Sequence, residues 1–257
     1  SMSAMADEAS AAAPTQTYTG MLQAAAASGT DRLGDEIESL VARFESLPRE
    51  DPQQALRDRS AAQMLEAAAR SVAAGTPKAL VVDVGSAIGR EVGAWRARAD
   101  AAGLGADRLD VVGVELLAAL NEKAAAAHPS CRFLTADAAA LPLDAGTVDG
   151  VHCSRLLIHC PDAPKVIDEM VRVLRPGGVG AFEEGDFSTS GFMSGDARAS
   201  AVFRAVTDTT TAKLANPYAA RVARTLLMAR DDVENVAMES QAFCILDVES
   251  MDPGLGY

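Results

Sequence analysis

Basic and aromatic residues are scarce in this sequence. Of its 257 residues, 23 are lysine or arginine and 36 are aspartate or glutamate, so the formal net charge is −13. Aromatic residues make up only 4% of the chain. A surface this negative repels phosphate backbones, and few rings are present to stack on bases, so we expect no nucleic-acid partner. The composition favours small-molecule chemistry instead.

Long apolar runs and clustered cysteines are also missing. No run approaches the roughly 18 to 20 apolar residues that a membrane span requires, so we expect no membrane-spanning segment. The cysteines at positions 131, 153, 160 and 244 form no CxxC pair and no Cys/His cluster, and no metal site is predicted. We expect reduced thiols in a cytoplasmic compartment, each serving as a small buried side chain. Thiol chemistry or arsenic binding at Cys153 and Cys160 is the alternative.

The length and composition are typical of one α/β domain. Hydrophobic residues make up 49% of the chain and charged residues 23%, which excludes global disorder. A chain of 257 residues can bury one good core but not two large ones. We predict a disordered extension at 1–17 and a single domain at 18–257. Within that domain, 18–74 is a helical cap and 75–257 is the core.

The stretch Ala79–Arg90, ALVVDVGSAIGR, carries the main motif. It begins with the near-continuous apolar run of a parallel strand buried on both faces, interrupted by Asp83. Gly85 permits a tight turn, and Gly89 allows the following helix to pack closely. A phosphate-binding loop would need a lysine after Gly89, and a dinucleotide fingerprint would need a third glycine in register. Neither is present, which leaves another nucleotide-type site or a purely structural turn.

The remaining pattern, D-x-G-x-[GA]-x-G, resembles motif I of class I S-adenosylmethionine-dependent methyltransferases. Ala87 stands where the middle glycine is usual, and its methyl group would narrow the approach to the cofactor. The resemblance implies that the turn from Gly85 through Ser86 and Ala87 to Gly89 holds the methionine part of S-adenosylmethionine. It also implies that Asp83 belongs to the cofactor site.

Two further segments match the same family in order. A second apolar run, Asp110–Val114, ends at Glu115, where a carboxylate can accept both ribose hydroxyls. Leu116 is assigned to the same site, and a solvated surface charge is the alternative for Glu115. In TADAAALPL, the resemblance implies that Asp137 accepts from the adenine amine and that the N–H of Ala138 reaches a ring nitrogen. This pairing fits adenine, because its amine only donates and its ring nitrogen only accepts.

The block that follows completes the resemblance. Val148–Cys153 is predicted as strand four, and an amphipathic helix stopped by Pro176 and two glycines leads to strand five, Val179–Glu183. RVLRPGG and L-x-H-x-x-D closely resemble the methyltransferase type 11 group that includes quinone-biosynthesis C-methyltransferases. The resemblance implies a Rossmann-like seven-stranded α/β sheet of order 3-2-1-4-5-7-6 with helices on both faces. Val233–Met238 and Gln241–Val248 are predicted as its two closing antiparallel strands.

The remaining elements follow from periodicity and capping residues. They are helices at Tyr18–Ser28, Asp31–Ser46, Asp51–Ala74, Ile88–Ala102 and Leu116–Ala127, a helix from Asn216 and Pro217 to about Arg230, and a third strand at Arg132–Thr135. In the family the N-terminal helices partly close the cofactor cleft, and covering a sheet edge is the alternative.

Methyl transfer requires alignment, and a base is needed only if the acceptor must lose a proton. His159 is predicted as that catalytic base because the ordinary pKa of histidine suits the task. Ser154, Glu184 and Asp186 are predicted to bind the acceptor. Cys153 and Ser154 are predicted to line the space near the sulfonium, chiefly through their backbone. A packed turn residue is the alternative for His159, and a solvated loop is the alternative for the two acids.

The sequence therefore predicts an S-adenosylmethionine-dependent methyltransferase that acts on a small-molecule acceptor by in-line transfer. The alternative is a non-catalytic cofactor-binding regulator or scaffold, motivated by Ala87 and by an end soon after the last predicted strand. The acceptor atom and the oligomeric state stay open.

Overall fold

The computed structural model describes residues 54–186 and 214–240. It also describes separate positions at residues 38, 41, 42, 198, 200, 201, 205, 208, 211 and 212. Glu38, Val41 and Ala42 are helical, within the second predicted helix. The predicted extension at 1–17, most of the helical cap and the predicted strand Gln241–Val248 lie outside the described residues.

Helices and strands alternate along the described ranges. The helices are α1 (Gln54–Ala73), α2 (Arg90–Ala101), α3 (Ala118–Ala127), α4 (Ala163–Val173) and α5 (Ala219–Met228). The strands are β1 (Ala79–Val84), β2 (Leu109–Glu115), β3 (Arg132–Thr135), β4 (Val148–Ser154) and β5 (Leu174–Glu183). A short 3-10 turn, Leu157–His159, follows β4. Among these helices, none has the length and apolar character that crossing a lipid bilayer requires.

The strands form a parallel sheet in the order β3-β2-β1-β4-β5. This confirms the α/β class, the Rossmann-like fold and the first five positions of the predicted strand order. The order reverses between β1 and β4, where Val84 lies opposite Cys153. In open α/β sheets such a reversal opens a crevice at the carboxyl ends of the strands, where ligands bind.

Helices cover both faces of the sheet. Val81 and its neighbours pack against α1 and α2, whereas Val82 and its neighbours pack against α4 and α5. Because both faces are buried, the strands have almost no polar alternation. Gly150 lets α1 approach closely, since a Cβ there would lie 2.7 Å from the side chain of Met64.

Helix α4 and strand β5 meet without a loop. The side chain of Asp162 caps α4 by accepting from the backbone N of Lys165 at 3.1 Å, and Leu174 is already extended. Val148 pairs with Leu174, but Gly150 pairs with Val179, so the Pro-Gly-Gly segment bulges out of the strand. Strand β5 therefore begins five residues before the predicted start, because the predicted turn is a bulge inside the strand.

The predicted strand Val233–Met238 is wrong. Residues 231–240 form no strand. Asn235 has a φ of 56°, in the left-handed region, which breaks an extended backbone. Val233 and Val236 are only half-buried, and the side chain of Met238 is exposed, so no core holds this segment extended.

Candidate cofactor and acceptor site

The glycine turn after β1 is tightly wound and bonded to β2. Gly85 and Gly89 have φ of 78° and 77°, and Ala87 has a φ of 47° that is unusual for a residue with a side chain. The backbone N of Gly85 and the backbone N of Ser86 both donate to the carbonyl of Val114, at 2.8 and 3.1 Å. These two amides therefore donate within the protein.

Close packing explains why both positions are occupied by glycine. A Cβ on Gly89 would lie 2.8 Å from the ring of Phe133 and 3.0 Å from the Cβ of Ala124. A Cβ on Gly85 would lie 3.0 Å from Cδ1 of Leu156, in the segment that follows β4. The turn is therefore in contact with β3 on one side and with the end of β4 on the other.

Glu115, at the end of β2, turns its carboxylate onto the glycine turn. Its Oε2 accepts from the backbone N of Ala87 at 3.0 Å, and its Oε1 accepts from the backbone N of Leu117 at 3.1 Å. Burial raises the pKa of Glu115, and hydrogen bonds from the amides of Leu117, Ala87 and Leu116 oppose that rise. The structure thus brings Glu115, Leu116 and the turn together.

Asp137 follows β3 at the same edge of the sheet. The backbone N of Ala136 donates to the carbonyl of Glu115 at 3.1 Å, which ties this segment to the end of β2. Asp137 is exposed, and its Oδ1 accepts from the backbone N of Ala139 at 2.8 Å. Ala138, between them, is half-buried.

Asp83 has a buried partner that the sequence analysis missed. Oδ1 of Asp83 lies 2.8 Å from Nδ1 of His152, and Nε2 of His152 lies 3.4 Å from Oε1 of Glu183. Burial alone disfavours the charged imidazolium, but the hydrogen bonds to Asp83 and Glu183 outweigh it and raise the pKa of His152 to about 10. The edge of the Trp95 ring meets the imidazole, with centroids 5.1 Å apart.

Two further charged side chains extend this group. The Arg57 guanidinium, from α1, lies 3.3 Å from the Glu91 carboxylate of α2. Burial raises the pKa of Glu91, the nearby Asp83 raises it further, and Arg57 opposes the rise. We call these five residues, Asp83, Glu91, Glu183, Arg57 and His152, the His152 cluster. A histidine within the predicted buried strand Val148–Cys153 was the available sequence signal.

Glu184 faces the opposite side of the sheet. Its Oε1 accepts from the backbone N of Leu156 at 2.9 Å and from that of Leu157 at 2.7 Å. Its Oε2 is buried and has no hydrogen-bond partner among the described residues. Burial raises the pKa of Glu184 to about 7, against the opposing hydrogen bonds from the amides of Leu157, Leu156 and Ile158. We call Glu184 and the backbone of residues 156–158 the Glu184 clamp.

The other predicted site residues of β4 surround this clamp. Sγ of Cys153 lies 3.9 Å from Oε1 of Glu184, and burial raises the pKa of this thiol well above its ordinary value. Burial also raises the pKa of Cys160, to about 12. Ser154 is half-buried at the strand end, and His159 is half-buried in the 3-10 turn. Both thiols are therefore neutral near pH 7.

Asp186 lies three residues beyond β5. Its Oδ2 forms an ion pair with Nε of Arg221 at 2.7 Å, which links this edge to α5. Among the described residues, no three His, Cys, Asp or Glu side chains are grouped so that they could hold a metal ion.

Comparisons with known proteins find a family match over part of the chain. Residues 82–182 match a family model described as a methyltransferase domain. No curated protein matches the chain. Among solved structures, the chain is similar to YcgJ from Bacillus subtilis, with 21% identity over 47% of this chain and 48% of that chain and a TM-score of 0.34.

Two further solved structures are described as S-adenosylmethionine-dependent methyltransferases. The protein from Thermotoga maritima has 19% identity over 56% of this chain and 57% of that chain, with a TM-score of 0.35. The TehB-like protein from Corynebacterium glutamicum has 18% identity over 68% of this chain and 83% of that chain, with a TM-score of 0.40. The chain spans about half the length of YcgJ and less than two thirds of the Thermotoga protein. Residues 82–182 therefore carry the match to a methyltransferase domain, and the glycine turn and strand order within that range are those of the class I fold, whose cofactor is S-adenosylmethionine.

Proposed function

We propose that the protein transfers the methyl group of S-adenosylmethionine to a small-molecule acceptor by in-line displacement. The observation that carries this proposal is the contact between the Glu115 carboxylate and the amide of Ala87 at the strand-order reversal. It holds a hydroxyl-accepting carboxylate beside a glycine turn, as a nucleoside-bearing ligand requires.

The residues at this edge fit the cofactor chemically. Each carboxylate oxygen can accept more than one hydrogen bond, so Glu115 can accept from ribose hydroxyls while it keeps its own amides. Asp137 is exposed and can accept from an adenine amine. The turn from Gly85 to Gly89 would hold the methionine part, with Leu116 and Ala138 contributing backbone groups.

The cofactor brings an already activated methyl group on a cationic sulfonium. What this chain must supply is therefore alignment of the acceptor and exclusion of water. Cys153 and Ser154 would line the space between the two ligands, and Ser154, Glu184 and Asp186 would bind the acceptor. If the acceptor must lose a proton, His159 is the proposed base.

The charge distribution supports a small, non-nucleic-acid acceptor. The net charge is −13, and acids follow or end β2, β3 and β5 at this edge. Phosphate backbones would be repelled there. The free cysteines at 131, 153 and 160 support a reducing, cytoplasmic location.

Calorimetry with S-adenosylmethionine and S-adenosylhomocysteine tests the cofactor half of the proposal. Glu115→Ala should weaken both affinities at least about tenfold, because it removes a charged acceptor of hydrogen bonds. Asp110→Asn is the matched control, since Asp110 lies in the same strand and pairs with Lys78 at the surface. Equal affinity of wild type and Glu115→Ala would contradict the assignment.

A labelled-methyl screen over small acceptors tests the transfer. His159→Ala should lower turnover and leave cofactor affinity near wild type, whereas His128→Ala should change neither. Unchanged turnover would remove His159 from the mechanism. Cofactor binding without transfer to any acceptor would instead indicate a non-catalytic regulator or scaffold.

A further inference from the structure

Glu184 places a buried carboxylate at the carboxyl edge of the sheet, beside the turn that follows β4. One oxygen accepts two backbone amides, and the other is buried with no hydrogen-bond partner among the described residues. Buried polar atoms in native proteins nearly always have partners, and an orphaned one calls for an explanation. Oε1 of the adjacent Glu183 is buried too, but its neighbour is a cation, Nε2 of the His152 imidazolium at 3.4 Å.

The position of Glu184 links it to the cofactor turn. Its Oε1 accepts a hydrogen bond from the backbone N of Leu156. A Cβ added at Gly85 would lie 3.0 Å from Cδ1 of the same leucine. The orphaned oxygen is therefore one side chain away from the turn assigned to the methionine part of the cofactor. An acceptor molecule must lie in this same region to reach the methyl group.

Among the described residues, amides and a thiol surround the Glu184 carboxylate, and no ion pair with it is formed. The backbone N atoms of Leu156 and Leu157, in the turn after β4, donate to Oε1, and the neutral thiol of Cys153 lies 3.9 Å from it. The charge of Arg155 lowers the pKa of Glu184, and that of Asp137 raises the pKa of Cys160. A bound molecule with an N–H or O–H group can supply the donor that Oε2 lacks among the described residues, and an anionic group at this point would be repelled.

We propose that the methyl acceptor is a neutral or cationic molecule with an N–H or O–H group, and that Oε2 of Glu184 accepts its hydrogen bond. This inference rests on the proposed function and names the substrate class of the same site. It makes Glu184 a specificity-determining residue. Acceptors that carry a carboxylate or phosphate beside the methylated atom are excluded.

The first test measures the kinetics of methyl transfer to phenol and to aniline by the wild type and by Glu184→Gln. Glu184→Gln should raise KM about tenfold or more, with kcat and the affinity for S-adenosylhomocysteine changing far less. In the wild type, KM should fall as pH rises through about 7, and in Glu184→Gln it should be flat.

The second test needs no turnover. Phenol and anisole are titrated into the S-adenosylhomocysteine complex while the carboxyl carbon of Glu184 is followed by NMR, with Glu184→Gln used to assign the signal. Phenol should shift this signal and anisole should not. Glu183→Gln is the matched control, which should preserve the response because Glu183 faces the other side of the sheet.

Equal responses to phenol and anisole, or a response to neither, would overturn the inference, as would an unchanged KM in Glu184→Gln. These results differ from failure of the proposed function itself, which would appear as loss of cofactor binding in the wild type.

Discussion

Glu183 and Glu184 are neighbours with the same side chain, yet they belong to different kinds of buried site. Because successive residues of a strand point to opposite faces, Glu183 joins the His152 cluster and Glu184 joins the clamp after β4. In the first site, carboxylates surround a protonated imidazole. In the second, a carboxylate relies on backbone amides and keeps one oxygen unsatisfied.

The comparison distinguishes a buried carboxylate that lies beside a cation from one that is bound by backbone amides. The His152 cluster joins α1, α2, β1, β4 and β5 through charges of opposite sign, so we expect it to stabilise the fold beneath the turn. The Glu184 clamp has no ion pair among the described residues, and in our proposal a ligand completes it. Substitutions in the two sites should therefore differ in size, sign and pH dependence.

The largest effect is expected from His152→Gln. Removing the imidazolium leaves Asp83 and Glu183 as buried carboxylates without their cation, which costs roughly 3–5 kcal/mol of unfolding free energy. Urea denaturation at pH 7 measures this cost. Glu184→Gln, the same type of change on the other face of the sheet, should show no such loss. Equal losses of unfolding free energy in the two variants would contradict the distinction between the two sites.

The pH dependence of His152→Gln sharpens the same contrast. The pKa of His152 is raised from its ordinary 6.5 to about 10, so its contribution is complete below 6.5 and is lost as pH rises through 10. The gap in stability between wild type and His152→Gln should narrow between pH 7 and pH 10. A gap that stays constant would show that the imidazole is not charged in the fold.

The next largest effect is expected from Gly85→Ala, which affects Leu156 of the Glu184 clamp and not the His152 cluster. The φ of 78° costs a side chain about 1–2 kcal/mol, and displacing Leu156 adds up to about 1 kcal/mol. Gly146→Ala is the matched control, since its φ is 70° and no atom lies within 4 Å of the added Cβ. Thermal unfolding compares the two. Identical losses would mean that the contact with Leu156 contributes nothing.

Glu184→Gln should stabilise the apo protein above neutral pH. The pKa of Glu184 is raised from 4.5 to about 7. The contribution of this side chain to the stability of the protein is therefore complete below pH 4.5 and is lost as pH rises through 7. Glutamine mimics the protonated form and should add about 1 kcal/mol at pH 8 but little at pH 5. Denaturation at both pH values measures this, and a loss at pH 8 would contradict the comparison.

The smallest effect is expected from Ala87→Gly, in the turn near both sites. Glycine relieves the cost of the φ of 47°, but it also gains freedom in the unfolded chain, so stability should change by only about 0.5 kcal/mol. Removing the methyl should strengthen binding of S-adenosylhomocysteine a few fold. Weaker binding would show that Ala87 does not narrow the approach.

Much of the fold followed from local sequence patterns. The third strand matches Arg132–Thr135 to the residue, and the first, second and fourth strands match within a residue. Their apolar runs and glycine turns act over short distances, so the sequence exposes them. Local patterns failed where tertiary context decided, as at Asn235 and at the Pro-Gly-Gly bulge of β5.

The site was less accessible to sequence reasoning. The turn, Glu115 and Asp137 were predicted because the resemblance to a family motif names them, and they remain proposals. His152 was missed because its partner Asp83 is 69 residues away, and no local pattern records that β1 and β4 are adjacent. The side of the sheet that Glu184 faces depends on the pairing of Glu183 with Ser154, which no local pattern records.

The contact between Trp95 and His152 has an optical consequence. Trp95 is the only tryptophan in the sequence, and its ring edge meets the imidazole. All indole fluorescence of this protein therefore originates beside the buried cation. Its intensity reports the ionisation and integrity of that assembly directly, without a label and without an engineered reporter.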